Sequence, residues 1–293
     1  MADPLPRAVV FGDVIDDVVV VPAGPIRPDT DTPSTITRTA GGSAANTAVW
    51  LGSLGVPVDF VGTVGADDAD HHRTLLEKAG VTAHLTEHPE LPTGTIVVLV
   101  DGEVRSMLTE RGANAVNDPA RVTDELLHGA GVLHLTGHSV YGAEDAAPFA
   151  ELIARARAAG VTVAVSPGSA GFLADFGAQA FLEVIAGTGI MLASLNEGRL
   201  LTGLHDPDEV AERLAESFEL VVLTLGADGA LVAGSQSGRV PAVRAELVDP
   251  TGAGDSFCAG FLAAWLTDGD AVAAAREGAR VAAHAISVVG ARP

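Results

Sequence analysis

The sequence predicts a three-layer α/β sandwich with a mainly parallel sheet, carrying a small β-sheet as a lid, in a single domain spanning residues 1–293. Three observations predict it. Short apolar runs alternate with longer helix-periodic segments over most of the chain. Two stretches break that alternation and read as extra strands. A length of 293 residues suits one large domain with a small insertion, and no linker divides the chain.

In order, AVVFG (8–12), VDFVGTVG (58–65), VLHLTG (132–137), VTVAVSP (161–167), IMLASL (190–195) and ELVVLTLG (219–226) read as strands. Continuous apolar runs of this length suit strands covered on both faces. Between them, SAANTAVWLGSLG, DAAPFAELIARARAAG and PDEVAERLAESF read as amphipathic helices. Such alternation implies parallel strands joined by right-handed crossovers. The last long segment, DAVAAAREGARVAAHAISVVGA, is a small-residue helix able to pack tightly on the sheet. The exceptions are VVVVPAGPIRPDTDTPSTITRTA (18–40), which lacks helical period, and TGTIVVLVDGEVRSMLTERG, which reads as a hairpin with a DG turn. Together they predict a lid made of segments at about 14–40 and 91–113.

Composition bounds the function. A net charge of −21 disfavours nucleic acid and anionic membranes, which both need a basic footprint. The acidity reads as a well-solvated surface. No apolar run reaches the roughly 18 residues of a membrane span. MADPLPRAVVFG lacks the basic region and apolar core of a signal peptide. The single cysteine, Cys258, excludes an internal disulfide and a thiolate metal cluster, and its helical setting reads as core. These features imply a cytoplasmic protein. His71, His72, His84 and His88 are too scattered for a metal set and read as surface. The only lysine is Lys78, and no GxxxxGK[ST] motif occurs. No G-x-G-x-x-G follows the first strand, which argues against a dinucleotide-dependent dehydrogenase.

The chemistry concentrates in DPTGAGDSF (249–257). Gly252, Ala253 and Gly254 offer backbone N–H groups with little side-chain bulk, just before an apolar helix. A helix N-terminus carries unsatisfied donors and partial positive charge, and so suits an anion. A phosphoryl group in transfer could approach these amides closely. Asp255, in the first turn, could accept the proton of an attacking hydroxyl.

DPTGAGDSF resembles the C-terminal signature of the ribokinase-like, or PfkB, carbohydrate kinases. AGGSAANTAVWLGSLG (40–55), followed by VDFVGTVGADD, is similar to the family's N-terminal signature, and VVLTLGADGALV (221–232) to its nucleotide-site strand and turn. The three stand in family order and cover nearly the whole chain. The resemblance implies an ATP-dependent kinase with Mg²⁺, acting on a primary hydroxyl of a small furanose or keto-sugar. A nucleoside kinase, or a catalytically silent sugar-binding relative, is the alternative. It implies Asp255 as base, with Gly252, Ala253 and Gly254 as anion hole. Gly41, Gly42 and Asn46 would hold acceptor hydroxyls, as would Asp13 or Asp17 in FGDVIDD, with Asp16 a solvated neighbour. Thr224, Gly226 and Gly229 would line the ATP phosphates and ribose. The lid would close over the sugar and could build a homodimer.

There are departures. In ASLNEGRLLTG, Glu197 falls on the family's Mg²⁺-orienting glutamate and acts through water, while Ser194 replaces an asparagine. Ser43 stands where the ribokinase subgroup carries a lysine, which weakens ribose as the specific substrate. Gly278 and Ala279 stand where an asparagine often meets the adenine edge, leaving only backbone and close packing. Asp249 and the carbonyls of Thr251, Ala285, Val288 and Gly290 sit where a monovalent cation such as K⁺ binds in many members.

Specificity must come from the lid and strand ends. Arg111 and Asn114, in TERGANA, could face the acceptor, and an arginine suits a carboxylate or phosphate through its bidentate fork. His138 and Tyr141 follow a strand at the ligand-binding edge and could stack on a sugar face or a base. The helix dipole is expected to keep Asp255 ionised at neutral pH.

Overall fold

The computed structural model describes residues 5–101, 104–143 and 145–293. Thirteen strands are described: β1 (Arg7–Phe11), β2 (Ile15–Pro22), β3 (Ser34–Gly41), β4 (Val58–Gly65), β5 (Val81–His88), β6 (Gly94–Asp101), β7 (Val104–Glu110), β8 (Ala130–Thr136), β9 (Thr162–Ser166), β10 (Ile190–Ser194), β11 (Leu220–Thr224), β12 (Ala230–Gly234) and β13 (Gly238–Val240). Nine form one sheet, in the order β13-β12-β11-β10-β9-β8-β1-β4-β5. From β5 to β11 neighbours are parallel, while β12 and β13 close the far edge antiparallel.

The period-two side-chain alternation of a strand divides the core into two layers. Ala8 and Val10 of β1 pack on one face, with helices Ser43–Ser53, Ala253–Asp268 and Ala271–Ala285; Val9 and Phe11 pack on the other, with Ala147–Ala158 and Pro207–Ala215. All eight residues of β4 are buried, as its unbroken VDFVGTVG run implies. Each fully buried Val, Leu or Phe contributes roughly 1.5–3 kcal/mol, so the two layers dominate stability. The closing helices meet through small residues: a Cβ at Gly260 would lie 3.0 Å from the Gly278 Cα, and one at Gly278 would lie 2.9 Å from the Phe257 carbonyl. The tight packing expected of the last helix is therefore between helices as much as onto the sheet.

The second sheet, β3-β2-β6-β7, is separate and four-stranded. β2 pairs antiparallel with β3 and parallel with β6, and β6 pairs antiparallel with β7. Gly102 of the predicted DG turn lies outside the described residues, while Asp101 ends β6. The irregular 18–40 stretch thus becomes two long strands. β5 was not expected; its VTAHLTEH alternates because it is an edge strand, half exposed.

The chain begins in the middle of the large sheet, builds β4 and β5 to one side, then crosses to β8 on the other. Ligand crevices of open α/β sheets lie outside the carboxyl ends of the strands at such a switch point. A cleft of about 600 Å³ opens there, between the ends of β1, β8, β10 and β11 and the small sheet.

Candidate active site

Helix Ala253–Asp268 aims its N-terminus into this cleft. Gly252 precedes it in the left-handed conformation, φ 75°, and a Cβ there would meet Ala291 at 2.8 Å, so only glycine fits. At Gly254 a Cβ would meet nothing within 4 Å, so open space faces the amide. The Ala253 N–H turns back to the Pro250 carbonyl at 3.3 Å, while the N–H groups of Gly252 and Gly254 meet no acceptor among the described residues. These two are the freer donors of the expected anion hole.

Asp255 is gripped from helix Ser43–Ser53. Ser43 Oγ donates to its Oδ1 at 2.6 Å and Asn46 Nδ2 donates to its Oδ2 at 3.0 Å. Burial pushes its pKa up to about 6, against the pull of those two hydrogen bonds. Desolvation thus opposes the helix dipole that is expected to keep this carboxylate ionised. Asp255 remains mainly ionised at neutral pH.

The acceptor side is an acidic cradle. Asp13, 8% exposed, receives the Ser43 and Ala44 N–H groups at 2.9 and 3.1 Å and caps helix Ser43–Ser53, whose own N-cap residue, Gly42, has no side chain. Thr136 at the end of β8 also donates to it. Gly42 has φ 94°, and a Cβ on it would lie 2.5 Å from the Asp13 carbonyl; Gly41 packs directly on the Asp17 carboxylate. Burial raises Asp17 to about 6, opposed mainly by the charge of Arg292. Asp16, its side chain 34% exposed, lies 3.4 Å from His72, which is buried at 1% exposure, contrary to the reading of that histidine as surface.

Arg111 lines the cleft. Its Nη2 donates to the His138 carbonyl at 2.8 Å, and its Nε is buried with no partner among the described residues. Burial lowers its pKa, and Asp13 supports its charge. Asn114 is spent internally, bridging both the N–H and the carbonyl of Val14. His138 reaches the cleft, but Tyr141 does not: its hydroxyl donates to the Pro167 carbonyl at 2.9 Å, and its ring packs among Phe172, Phe176 and Phe181.

On the opposite side, Ser194 and Glu197 form a capping box at the start of helix Leu195–Thr202. Glu197 is buried, its pKa is raised by that burial, and it lines the cleft with Ser194 and Thr224. A buried carboxylate facing a cleft fits a hydrated Mg²⁺, because a divalent cation offsets its desolvation. Gly226, Gly229 and Ala279 stand off the cleft wall. Gly229, φ 91°, is required by close approach to Val240–Ala242, and Ala279 packs on the core.

The expected monovalent-cation loop contains an arginine instead. Arg105 of β7 donates to Asp249 Oδ1 at 2.8 Å and to Thr251 Oγ1 at 2.6 Å. The Thr251 N–H also donates to Asp249 Oδ1 at 2.9 Å and the Gly290 N–H to Oδ2 at 3.1 Å; its pKa falls to about 2 because these hydrogen bonds outweigh its burial. With Arg105 docked, the Asp249 carboxylate already has a cationic partner. Ala285 is buried, whereas Val288 is exposed. No cluster of three or more His, Cys, Asp or Glu suited to a metal occurs among the described residues. Cys258 is buried and its thiol is held protonated.

Three side chains escaped the sequence reading as site residues: Ser43, Arg105 and Arg292. Ser43 drew notice only as a missing lysine. The arginines come from β7 of the small sheet and from residue 292, with no motif to mark them.

A glycine-fronted helix N-terminus, a carboxylate in its first turn and a cleft between the strand ends and the small sheet suit phosphoryl transfer. The pfkB family carbohydrate kinase model matches residues 5–293, and the chain belongs to that family. It is 34% identical over 270 residues to the ATP-dependent ribose-1-phosphate kinase of Halopiger xanaduensis, covering 86% of each chain. It is 31% identical to the 1-phosphofructokinase of Haloferax volcanii, covering 87% of this chain and 82% of that one. The crystal structure of adenosine kinase from Sinorhizobium meliloti superposes with a TM-score of 0.87 at 26% identity, covering 99% of this chain and 96% of that one. No helix among the described residues is long and apolar enough to cross a membrane.

Proposed function

We propose that the protein transfers the γ-phosphate of ATP to a primary hydroxyl of a small sugar, with Asp255 as general base. The observation that carries this reading is the placement of Asp255 between Ser43 and Asn46, beside the open N-terminus at Gly254. The acceptor oxygen attacks the γ-phosphorus as its proton passes to the Asp255 carboxylate. The new O–P bond forms as the bond to the β-phosphate oxygen breaks, and ADP leaves with that electron pair. The Gly252 and Gly254 amides and the helix dipole stabilise charge on the transferring group. Mg²⁺, when bound with the nucleotide, neutralises phosphate charge, and Glu197 would hold its water shell. Ile96, Val98 and Met107 of the small sheet roof the cleft; as a lid they would exclude water and limit ATP hydrolysis. Exposed Ile36 and Leu108 on that sheet support a homodimer built through the lid.

Arg111, with a guanidinium edge left unsatisfied, favours an acceptor that carries an anionic group, such as a furanose phosphate. The names of the two haloarchaeal relatives agree with this. A nucleoside is the second reading, favoured by Phe172, which is 40% exposed on the cleft wall beside His138.

The test is ADP release with Mg·ATP across sugars, sugar phosphates, sugar acids and nucleosides, with Asp255→Asn alongside. Turnover with one class, reduced roughly 10²–10⁴-fold in the variant, supports the reading. Undiminished turnover in Asp255→Asn removes the base, and tight acceptor binding without any turnover makes the protein a silent binder.

A further inference from the structure

Arg292 lies next to the last residue, yet its guanidinium reaches the acceptor cradle. The strand of chain that delivers it is fixed at three points. The Gly290 N–H donates to Asp249 Oδ2 at 3.1 Å, the Trp50 indole donates to the Ala291 carbonyl at 2.9 Å, and Ala291 packs on Gly252. From there Arg292 Nε donates to Asn46 Oδ1 at 2.9 Å and Nη2 donates to the Gly41 carbonyl at 2.8 Å. Asn46 in turn uses its Nδ2 on Asp255.

This relay settles an ambiguity in the asparagine. A side-chain amide presents either its oxygen or its nitrogen to a neighbour after a half-turn. With the oxygen toward Asp255, two acceptors would face each other and the carboxylate would lose one of its two side-chain donors. An arginine has no acceptor, so the group facing Arg292 must be the Asn46 oxygen. The NH₂ is then turned onto the base.

We propose that Arg292 is a positioning residue of the phosphotransfer site: by fixing the orientation of the Asn46 amide it holds Asp255 in its productive rotamer, and its charge balances the acidic acceptor cradle. The inference rests on Asp255 being the base. Several groups face Asp255: Ser43 and Asn46 from one helix, Asp13 after β1, Asp17 of β2, His138 after β8, Cys258 one turn further along, and Arg292 itself. Among these, Arg292 supplies the permanent positive charge. Asp17 contributes most to holding Arg292 protonated against burial, ahead of Asp255, Asp13 and Asp16.

The experiment combines two readouts. The first is the titration of the Asp255 carboxyl carbon by NMR in wild type, Arg292→Gln and Arg292→Lys, assigned with Asp255→Asn; it needs no substrate. Arg292→Gln is expected to move that titration upward by about one pH unit, and Arg292→Lys to move it less. The second is a double-mutant cycle of Arg292→Gln and Asn46→Ala on turnover of the accepted substrate. Arg292→Gln is expected to lower kcat roughly 10–100-fold with KM for ATP unchanged, and the double variant to be no slower than Asn46→Ala alone. An unmoved titration, or losses that add in full, overturns the proposal. If Arg292→Gln does not fold, Arg292→Lys carries the same test. If instead Asp255→Asn keeps full turnover, the base assignment fails, while the NMR shift still reports whether Arg292 acts on Asp255.

Discussion

Gly254 is the residue at which the chemistry is most exposed to a single methyl group. Its backbone does not need a positive φ, and a Cβ would enter open space. Gly254→Ala should therefore fold with an unchanged melting temperature yet occupy the room of the transferring phosphate. Turnover is expected to fall by roughly 10²-fold, as when an oxyanion donor is lost; steady-state kinetics beside a melting curve checks it. Asp255 supplies a second expectation. Its free-enzyme pKa, raised to about 6, places the acid limb of kcat/KM near that pH, with activity lost as pH falls through it and the carboxylate protonates. A limb below pH 5 would show that the carboxylate is better solvated than its packing implies.

At the scale of elements, β7 and β8 make separable predictions. Arg105 carries charge from β7 of the small sheet onto the loop that precedes helix Ala253–Asp268. Removing it by Arg105→Ala leaves Asp249 without its ion-pair partner and opens that carboxylate to solvent cations. Wild-type turnover is expected to respond little to replacing potassium by tetramethylammonium, and the variant to fall several-fold and regain activity with potassium. Equal responses in both would show that Arg105 and a cation do not compete. In β8, His134 is fully buried with both ring nitrogens unpartnered among the described residues, and burial lowers its pKa to about 4. A histidine depressed in the fold binds its proton first in the unfolded chain, whose pKa is about 6.5. Stability is thus full above 6.5 and lost as pH falls from there toward 4, by up to about 3 kcal/mol. Denaturant melts at pH 7 and pH 4.5 should show that loss in wild type and a smaller one in His134→Leu.

At the scale of the whole molecule, a net charge of −21 on 293 residues repels itself. Among the described residues the ion pairs Arg213–Glu216 and Arg239–Asp208 are exposed on both sides and offset little of that repulsion. Adding salt screens the repulsion within a Debye length of about 10 Å at 0.1 M. The melting temperature is expected to rise between low salt and about 0.1 M NaCl, where screening acts and solute exclusion is still small. A flat response would mean that the charges lie too far apart to matter.

The sequence by itself determined the layered α/β architecture, the separate small sheet and the helix that carries Asp255. Each is written in local pattern: apolar runs of strand length, a stretch without helical period, glycines before an apolar helix. These depend on neighbours along the chain, and a single chain shows them directly. Gly42, Asn46 and Asp255 stand in contiguous motifs that resemble family signatures, and the fold brings all three to the cleft wall. Only the tertiary structure decided that Asp13 caps a helix 30 residues later, that His72 is buried against Asp16, and that Tyr141 turns from the cleft. It alone joined Ser43 and Arg292 to the surroundings of Asp255 and set Arg105 on Asp249. Those contacts span separations of 144 to 251 residues, and nothing in local spacing encodes them. They arise because the strand ends, the small sheet and residues 290–292 converge on one cleft, where buried charges must find partners or remain costly.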